Sequence, residues 1–395
     1  MKLGILSRAP NSYSTRRLVE AAKERACAVS VFDPLQISID VDRGAPALYF
    51  EDQALEHFDA VIPRIGASIT FYGTAVVRHF EQMGTYTLAT ADAISVSRDK
   101  LRSLQVLSSH DIGLPRTAFV RNRGDVMPAI ARVGGAPVII KLLEGTQGIG
   151  VILAGENKVA EAIVETLQSA KQNVLIQKFV SESKGRDVRA FVIGDRVVAA
   201  MRRVAQGSEF RSNVHRGGKA EAIELPPDYE RTAVRAAHIM GLHVAGVDML
   251  EARDGAQVME VNSSPGLEGI EKASGIDIAG AIIEYVQAQA VFPLLDLRER
   301  LHIAGRYSVT ELLVDRESPL AGATIEGCGL RDRDVIVVAM KRGSGEQIGN
   351  PRPDRRIDEG DTLVLYGAVG ALAGLVGPVL EKKRRARSEK TTKPK

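Results

Sequence analysis

Residues 245–262 read AGVDMLEARDGAQVMEVN. Two apolar runs, VAGVDMLEA and AQVMEVNSS, flank Arg253-Asp254-Gly255. A short polar stretch carrying glycine between two such runs predicts a β-hairpin. A three-residue loop places Asp248 directly opposite Glu260. Asn262, two residues on, points to the same face. Carboxylates facing one another across neighbouring strands, with Cβ atoms about 5 Å apart, repel. A divalent cation between them removes the repulsion, and an all-oxygen ligand set suits Mg²⁺. The plain alternative is a solvated strand face with two acids, but the flanks VAGV and VMEV read as buried. Asp248, Glu260 and Asn262 are therefore the candidate metal ligands.

About a hundred residues earlier stands a Gly-rich segment, Glu144-Gly145-Thr146-Gln147-Gly148-Ile149-Gly150. It is neither G-x-G-x-x-G nor a P-loop, because no GK[ST] follows and strands, not a helix, lie on both sides. Such a hairpin tip can lie over phosphates with its backbone N–H groups facing anionic oxygens. Lys141, on the strand before it, is placed to reach a phosphate. Taken alone, the segment reads equally well as an ordinary turn beside a surface lysine. A third cluster is cationic: Arg202, Arg203, Arg211, Arg216 and Lys219, with Asn213 among them and Arg186, Asp187 and Arg189 on a neighbouring strand. Any one of these could be solvated surface charge. Together, a metal pair, a Gly-rich hairpin and several Arg forks suit phosphoryl transfer onto a carboxylate.

The rest of the chain supports a mixed α/β protein. Over residues 1–95 strand patterns (LGILS, VSVFDP, DAVIPRIG) alternate with helix patterns (STRRLVEAAKERA, TAVVRHFEQMG), which predicts a parallel sheet. Residues 96–290 mix helices and strands around the motifs above. Residues 291–306 read as a linker. Residues 307–380 read as a separate small α+β unit with three strands, VTELLVD, DVIVVAMKR and DTLVLYG. Thr362 to Leu380 carries no charge, but its five Gly/Pro interruptions favour a strand and a short helix over a membrane span.

Composition excludes several classes. The net charge of +3 hides an uneven distribution: residues 381–395 hold eight Lys/Arg and two Glu, leaving the remainder at −3. The basic balance thus belongs to a tail expected to be disordered and to attract polyanions, and does not describe a nucleic-acid-binding fold. Cys27 and Cys328 stand far apart, so there is no disulfide framework and no CxxC site, which fits a reducing cytoplasm. No G-x-S-x-G and no His spacing point to a covalent nucleophile or a His-ligated metal.

With these residues in view, residues 1–290 resemble the RimK family, ATP-grasp ligases that add glutamate to the C-terminus of a small-subunit ribosomal protein. The matching stretches are PRIGASITFYG (63–73), SRDKLRS (97–103), VGGAPVIIKLLEGTQGIGV (133–151), FRSNVHRGG (210–218), AGVDML (245–250) and MEVNSSPGLEGIEKASGIDIAG (259–280). The resemblance implies an ATP-grasp fold with a parallel-sheet domain over 1–95 and the ATP-grasp domain over 96–290. It implies that Lys100 and Lys141 contact ATP phosphates under a hairpin including Gly145, Thr146, Gln147 and Gly148. Gln177, Lys178, Phe179 and Val180 form the adenine hinge, and Asp187, Arg189, Arg211, Ser212 and Asn213 complete the nucleotide site. Asp248, Glu260 and Asn262 hold Mg²⁺ or Mn²⁺, two ions being expected. Arg203 and Arg211 are the catalytic candidates, near the transferred phosphate or a substrate carboxylate. Lys178 departs from the family, which commonly has Glu there, so a ribose contact from that side chain is lost.

Residues 307–380 resemble the TrkA-C (RCK-C) module of potassium-transport regulators, on VTELLVDRESPLAGATIEGCGLRDRDVIVVAMKR (309–342) and DEGDTLVLYGAVGALAGL (358–375). That resemblance implies self-association to a dimer or tetramer and a small-ligand effector, for which Arg331, Arg333 and Lys341 are candidates. The implied partners are L-glutamate and the C-terminus of a ribosomal protein, with no membrane. Poly-α-glutamate synthesis, γ-glutamyl transfer to a small coenzyme, and a non-catalytic nucleotide-sensing regulator remain open from the sequence.

Overall fold

The structure is a computed structural model that describes residues 1–143, 150–206, 218–291, 307–316, 318–372 and 374–375. Outside the described residues lie Gly145, Thr146, Gln147 and Gly148 of the Gly-rich tip, Arg211, Ser212, Asn213 and Arg216, nearly all of the expected linker, and the basic tail. The chain divides into two compact units, Met1–Pro293 and Leu294–Lys395.

The first unit opens on a four-stranded sheet in the order Ala28–Phe32, Lys2–Leu6, Ala60–Pro63, Tyr86–Thr87, with every pair parallel. Its inner strands, KLGIL and AVIP, are almost wholly buried, the pattern of a sheet covered on both faces. The helix Tyr13–Glu24 starts where Ser12 Oγ accepts the Thr15 N–H. Leu18, Ala21 and Ala22 of that helix join Leu3 and Ile5 of the sheet in one core. Ile278, Ile282, Ile283 and Val286 of the helix Ile278–Val291 enter the same core. Each such Leu or Ile contributes about 1.5–3 kcal/mol on leaving water. The last helix of the unit is thereby fastened to the N-terminal sheet.

A second, antiparallel sheet runs Val151–Ala154, Val138–Leu142, Val174–Lys178, Thr117–Phe119. Helices Val126–Arg132 and Asn157–Ser169 bury its apolar face. The expected strands on either side of the Gly-rich segment are present and antiparallel: Lys141 pairs with Val151, and the Leu142 N–H donates to Gly150 O at 2.9 Å. A third sheet runs Lys219–Ala222, Arg196–Val204, Arg186–Ile193, Val244–Ala252, Gly255–Asn262, again antiparallel.

The hairpin 245–262 differs from expectation at its turn. Ala252 pairs with Gly255, so the loop is two residues, Arg253-Asp254, and Gly255 takes φ +105, a value glycine tolerates. A bulge between Asp248 and Met249 then shifts the register by one, and Asp248 does face Glu260. The extra residue that the reading placed in the loop sits in the strand. The small sheet Ile37–Asp40, Ala47–Phe50, Gln53–Ala54 was not expected; its strands of two to four residues are too short for alternation to be legible.

The second unit is a four-stranded antiparallel sheet, Tyr307–Leu313, Thr362–Ala368, Val335–Lys341, Gln347–Gly349, one strand more than expected. Leu312, Val335, Met340, Leu363 and Leu365 supply its core. The uncharged stretch that starts at Thr362 begins as an inner strand, Thr362–Ala368, paired on both sides. Among the described residues no helix is long and apolar enough to cross a membrane.

Candidate active site

The third sheet brings charge into a row. Arg189 lies beside Asp248, and Asp248 beside Glu260, across three strands. Two residues along, Asp187 lies beside Arg203. Side chains two apart on a strand share a face. The Arg189 guanidinium donates from Nε and Nη2 to both Asp248 oxygens at 2.6 and 2.7 Å. Arg203 does the same to Asp187, at 2.6 and 2.7 Å, and its Nη2 lies 3.0 Å from Asp248 Oδ2. Asp187, Arg203 and Asp248 are all buried. Burial pushes the Asp248 carboxyl up, but the Arg189 and Arg203 charges outweigh it and hold it down at about 2. Burial also weakens the Arg203 charge, and Asp248 and Asp187 more than restore it, so its pKa ends above the ordinary value.

This corrects the argument from repulsion. The charge of Asp248 is compensated by two guanidiniums, and Glu260 is exposed, so the sheet is stable at this point without a cation between the two. The reading from sequence compared only the two hairpin strands. The compensating Arg189 comes from the strand on the other side, 59 residues away in the chain.

Two lysines face this row. Lys141 stands in the strand Val138–Leu142. Burial lowers its pKa to about 8; Glu260 and Asp248 oppose the shift, and Lys100 adds to it. Lys100 opens the helix Lys100–Ser108, whose first turn is capped by Asp99 accepting the Arg102 N–H. Its Nζ donates to Leu142 O at 2.9 Å, and its pKa too is lowered by burial and opposed by Glu260. The structure thus gathers Lys100, Lys141, Asp248 and Glu260, from four separate stretches of chain, within electrostatic reach. Asn262 is partly buried near them, its Nδ2 3.5 Å from Gly246 O.

At the expected hinge, Gln177 is buried and its Nε2 donates to Thr117 Oγ1 at 2.8 Å. The Lys178 N–H is taken by Arg116 O, while its side chain is exposed. Phe179 is partly buried and Val180 is buried. Arg202, grouped with the cationic cluster, is held by Glu251 through Nη2 at 2.9 Å. Gly246 is required by packing: a Cβ there would lie 2.9 Å from Pro265 Cβ, so glycine lets residues 262–266 close against the strand. The sequence reading passed over Arg98, whose charge interacts with Glu260. Only its place in SRDKLRS marked it.

Asp248, Glu260 and Asn262 fit a divalent cation by donor chemistry: all offer oxygen. Among the described residues no group of three or more His, Cys, Asp and Glu is close enough for a metal site. Two carboxylates and an amide leave room for water and phosphate oxygens, as Mg²⁺ prefers. Two partly desolvated ammonium groups beside them suit a polyphosphate.

Comparison with known proteins is decisive for the family. The profile of the RimK-like ATP-grasp domain matches residues 97–286, and that of the RimK pre-ATP-grasp domain residues 1–94. A protein of Rhodopirellula baltica named "Probable alpha-L-glutamate ligase" is 60% identical over 385 residues, covering 98% of this chain and 95% of its own. The chain belongs to the RimK family of ATP-grasp ligases. Another relative, "Probable alpha-L-glutamate ligase 1" of Hahella chejuensis, is 55% identical over 290 residues, which is 73% of this chain and 96% of its own. Among solved structures, the ATP-grasp ligase PsnB complexed with minimal precursor matches at TM-score 0.60 and 25% identity, over 73% of this chain and 98% of its own. The ATP-grasp RimK domain protein of Sphaerobacter thermophilus matches in fold at TM-score 0.55 and 24% identity, over 73% and 100%. The TrkA-C domain profile matches residues 309–375. As a RimK-family ATP-grasp ligase, the protein is an enzyme that uses ATP and a divalent metal.

Proposed function

We propose that this ligase joins the amine of L-glutamate to the C-terminal carboxylate of a protein acceptor, a small-subunit ribosomal protein, through an acyl phosphate. The observation that carries the reading is the meeting of Lys100 and Lys141 with the Asp248–Glu260 row. Cations for a polyphosphate and oxygen ligands for its counter-ion stand together there. Glutamate is supported by the names of the relatives, and a larger precursor as acceptor by the PsnB complex with its minimal precursor.

In the proposed reaction a carboxylate oxygen of the acceptor attacks the γ-phosphorus of ATP. The bond from that phosphorus to the β-bridging oxygen breaks and ADP leaves. The neutral amine of glutamate then attacks the acyl carbon, the carbon–oxygen bond to phosphate breaks, and the amine proton is lost to phosphate or solvent. The products are an amide, ADP and phosphate, and no protein nucleophile is required. Lys141 and Lys100 bind and orient the phosphates, and their charge favours the anion in a partly desolvated setting. Asp248, Glu260 and Asn262 would hold the divalent cation, which when bound would supply charge neutralisation for the phosphate oxygens. Asp187 keeps Arg203 extended at the edge of the same face.

The test is ADP release and mass spectrometry of the acceptor, with L-glutamate present and the ribosomal acceptor added or withheld. Release that needs both, with added glutamyl mass on the acceptor C-terminus, supports the proposal. Release with glutamate alone, giving free polyglutamate, would show that the acceptor is wrong.

A further inference from the structure

Three stretches quoted above for their resemblance, PRIGASITFYG, SRDKLRS and MEVNSSPGLEG, carry residues that the ligase reading leaves without a task. In the fold they converge. Arg64 follows directly on the strand Ala60–Pro63, at the carboxyl end of the parallel sheet, the edge where α/β folds place ligands. Its Nη1 donates to Pro265 O at 2.8 Å. Arg98 ends the helix Ala91–Arg98, and its Nη2 donates to Ile65 O. Ser264 Oγ donates to Pro63 O at 3.2 Å. Residues 63–65, 98 and 263–265 therefore form one corner, next to Glu260.

The chemistry of that corner is unbalanced. Burial lowers the pKa of Arg64 to about 10, with the Arg98 charge adding to the effect. Burial lowers Arg98 too, and Glu260 alone opposes it. Arg189 and Arg203 each grip a carboxylate with both arms, whereas Arg64 and Arg98 donate to the backbone carbonyls of Pro265 and Ile65. Two buried donors in the corner, Arg98 Nε and Ser263 Oγ, have no hydrogen-bond partner among the described residues. A desolvated donor without an acceptor is costly, and a guanidinium fork matches a carboxylate. Arg98 Nε and the Ser263 hydroxyl are thus buried donors short of acceptors, with the Arg64 charge beside Arg98 and Glu260 close by.

We propose that Arg64, Arg98 and Ser263 form a subsite for a substrate carboxylate next to the Glu260 centre, distinct from the lysines that meet the phosphates. The inference rests on the ligase reading for which substrate supplies that carboxylate. Two substrates of the proposed reaction carry one, the incoming glutamate and the acceptor C-terminus. The preferred amino acid is dicarboxylic in the first case.

The test uses the full chain with Arg98→Met, Ser263→Ala and Arg98→Lys, each checked for folding by circular dichroism. KM is measured separately for ATP, L-glutamate and acceptor peptide. The expected result is a rise of about tenfold or more in one carboxylate KM for Arg98→Met, partial recovery in Arg98→Lys, and ATP KM within about twofold. A rise for glutamate assigns the subsite to the amino acid, and L-glutamine should then be rejected less strongly. A rise for the peptide assigns it to the acceptor. Unchanged KM for both in folded variants overturns the subsite. Calorimetry with glutarate as probe keeps the two proposals separable. Binding to the parent chain that is lost in both Arg98→Met and Ser263→Ala supports the pocket even if no glutamate-dependent turnover is found. Equal glutarate binding in all chains overturns it.

Discussion

Asp248 sits in the Arg189–Arg203 ion network and is also a candidate metal ligand, whereas Glu260 is a candidate ligand only, so comparing Asp248→Asn with Glu260→Gln separates the two roles. The substitution keeps the shape and removes the charge. Arg203 retains Asp187, but Arg189 is left with no carboxylate partner among the described residues. The size of the loss can be worked in two ways. A carboxyl held at about 2, against an ordinary 3.8, corresponds to about 2 kcal/mol of native-state stabilisation at neutral pH. Removing one partner of a buried ion pair costs about 3–5 kcal/mol, because the other charge is left uncompensated. The expected loss is thus about 2–5 kcal/mol. Glu260 is exposed, so Glu260→Gln should change stability by less than about 0.5 kcal/mol while still removing a candidate metal ligand. With two compact units a single unfolding midpoint is ambiguous, so the readout is amide hydrogen exchange in the strand Val244–Ala252, backed by urea unfolding. The folded pKa of Asp248 lies below the unfolded one, so its contribution is complete above about pH 4 and drains away as pH falls towards 2. The parent and Asp248→Asn curves should therefore approach each other between pH 4 and 2. Equal exchange protection for parent and Asp248→Asn at pH 7 would refute the ion-network account.

Two further outcomes are expected. Lys141 sits at a pKa of about 8 in the free protein, and phosphates favour its charged form, so ATP binding should take up about half a proton at pH 8 and about a tenth at pH 7. Calorimetry in two buffers of different ionisation enthalpy measures this; the uptake should vanish in Lys141→Met, and none at pH 8 in the parent counts against the assignment. Truncation after Pro293 follows the boundary between the compact units and should leave glutamate-dependent ADP release intact. Leu313, Ile336 and Val338 are exposed on the strands of the second unit, so its removal should also lower the oligomeric mass seen by light scattering. Loss of ATP binding by a folded truncated chain would show instead that the second unit helps to build the site.

Much of this protein is written in short-range pattern. Alternating strands and helices over the first 95 residues demand a parallel sheet, because short apolar strands need both faces covered. The two runs around Arg253-Asp254 demand a hairpin, and pairing within a hairpin is local, which is why Asp248 could be set opposite Glu260 from sequence alone. Even there the turn was read one residue too long, since a bulge and a longer loop have the same effect on register beyond them. Tertiary structure decided what surrounds those acids. Arg189 reaches Asp248, and Arg203 reaches Asp187, only because strands far apart in the chain lie side by side. Arg64, Arg98 and Ser263 meet through a loop closing on Gly246, and no periodicity links them. Hydrophobic period and turn chemistry act between neighbours in sequence. Charge compensation and desolvation act between neighbours in space, and only the fold determines who those are.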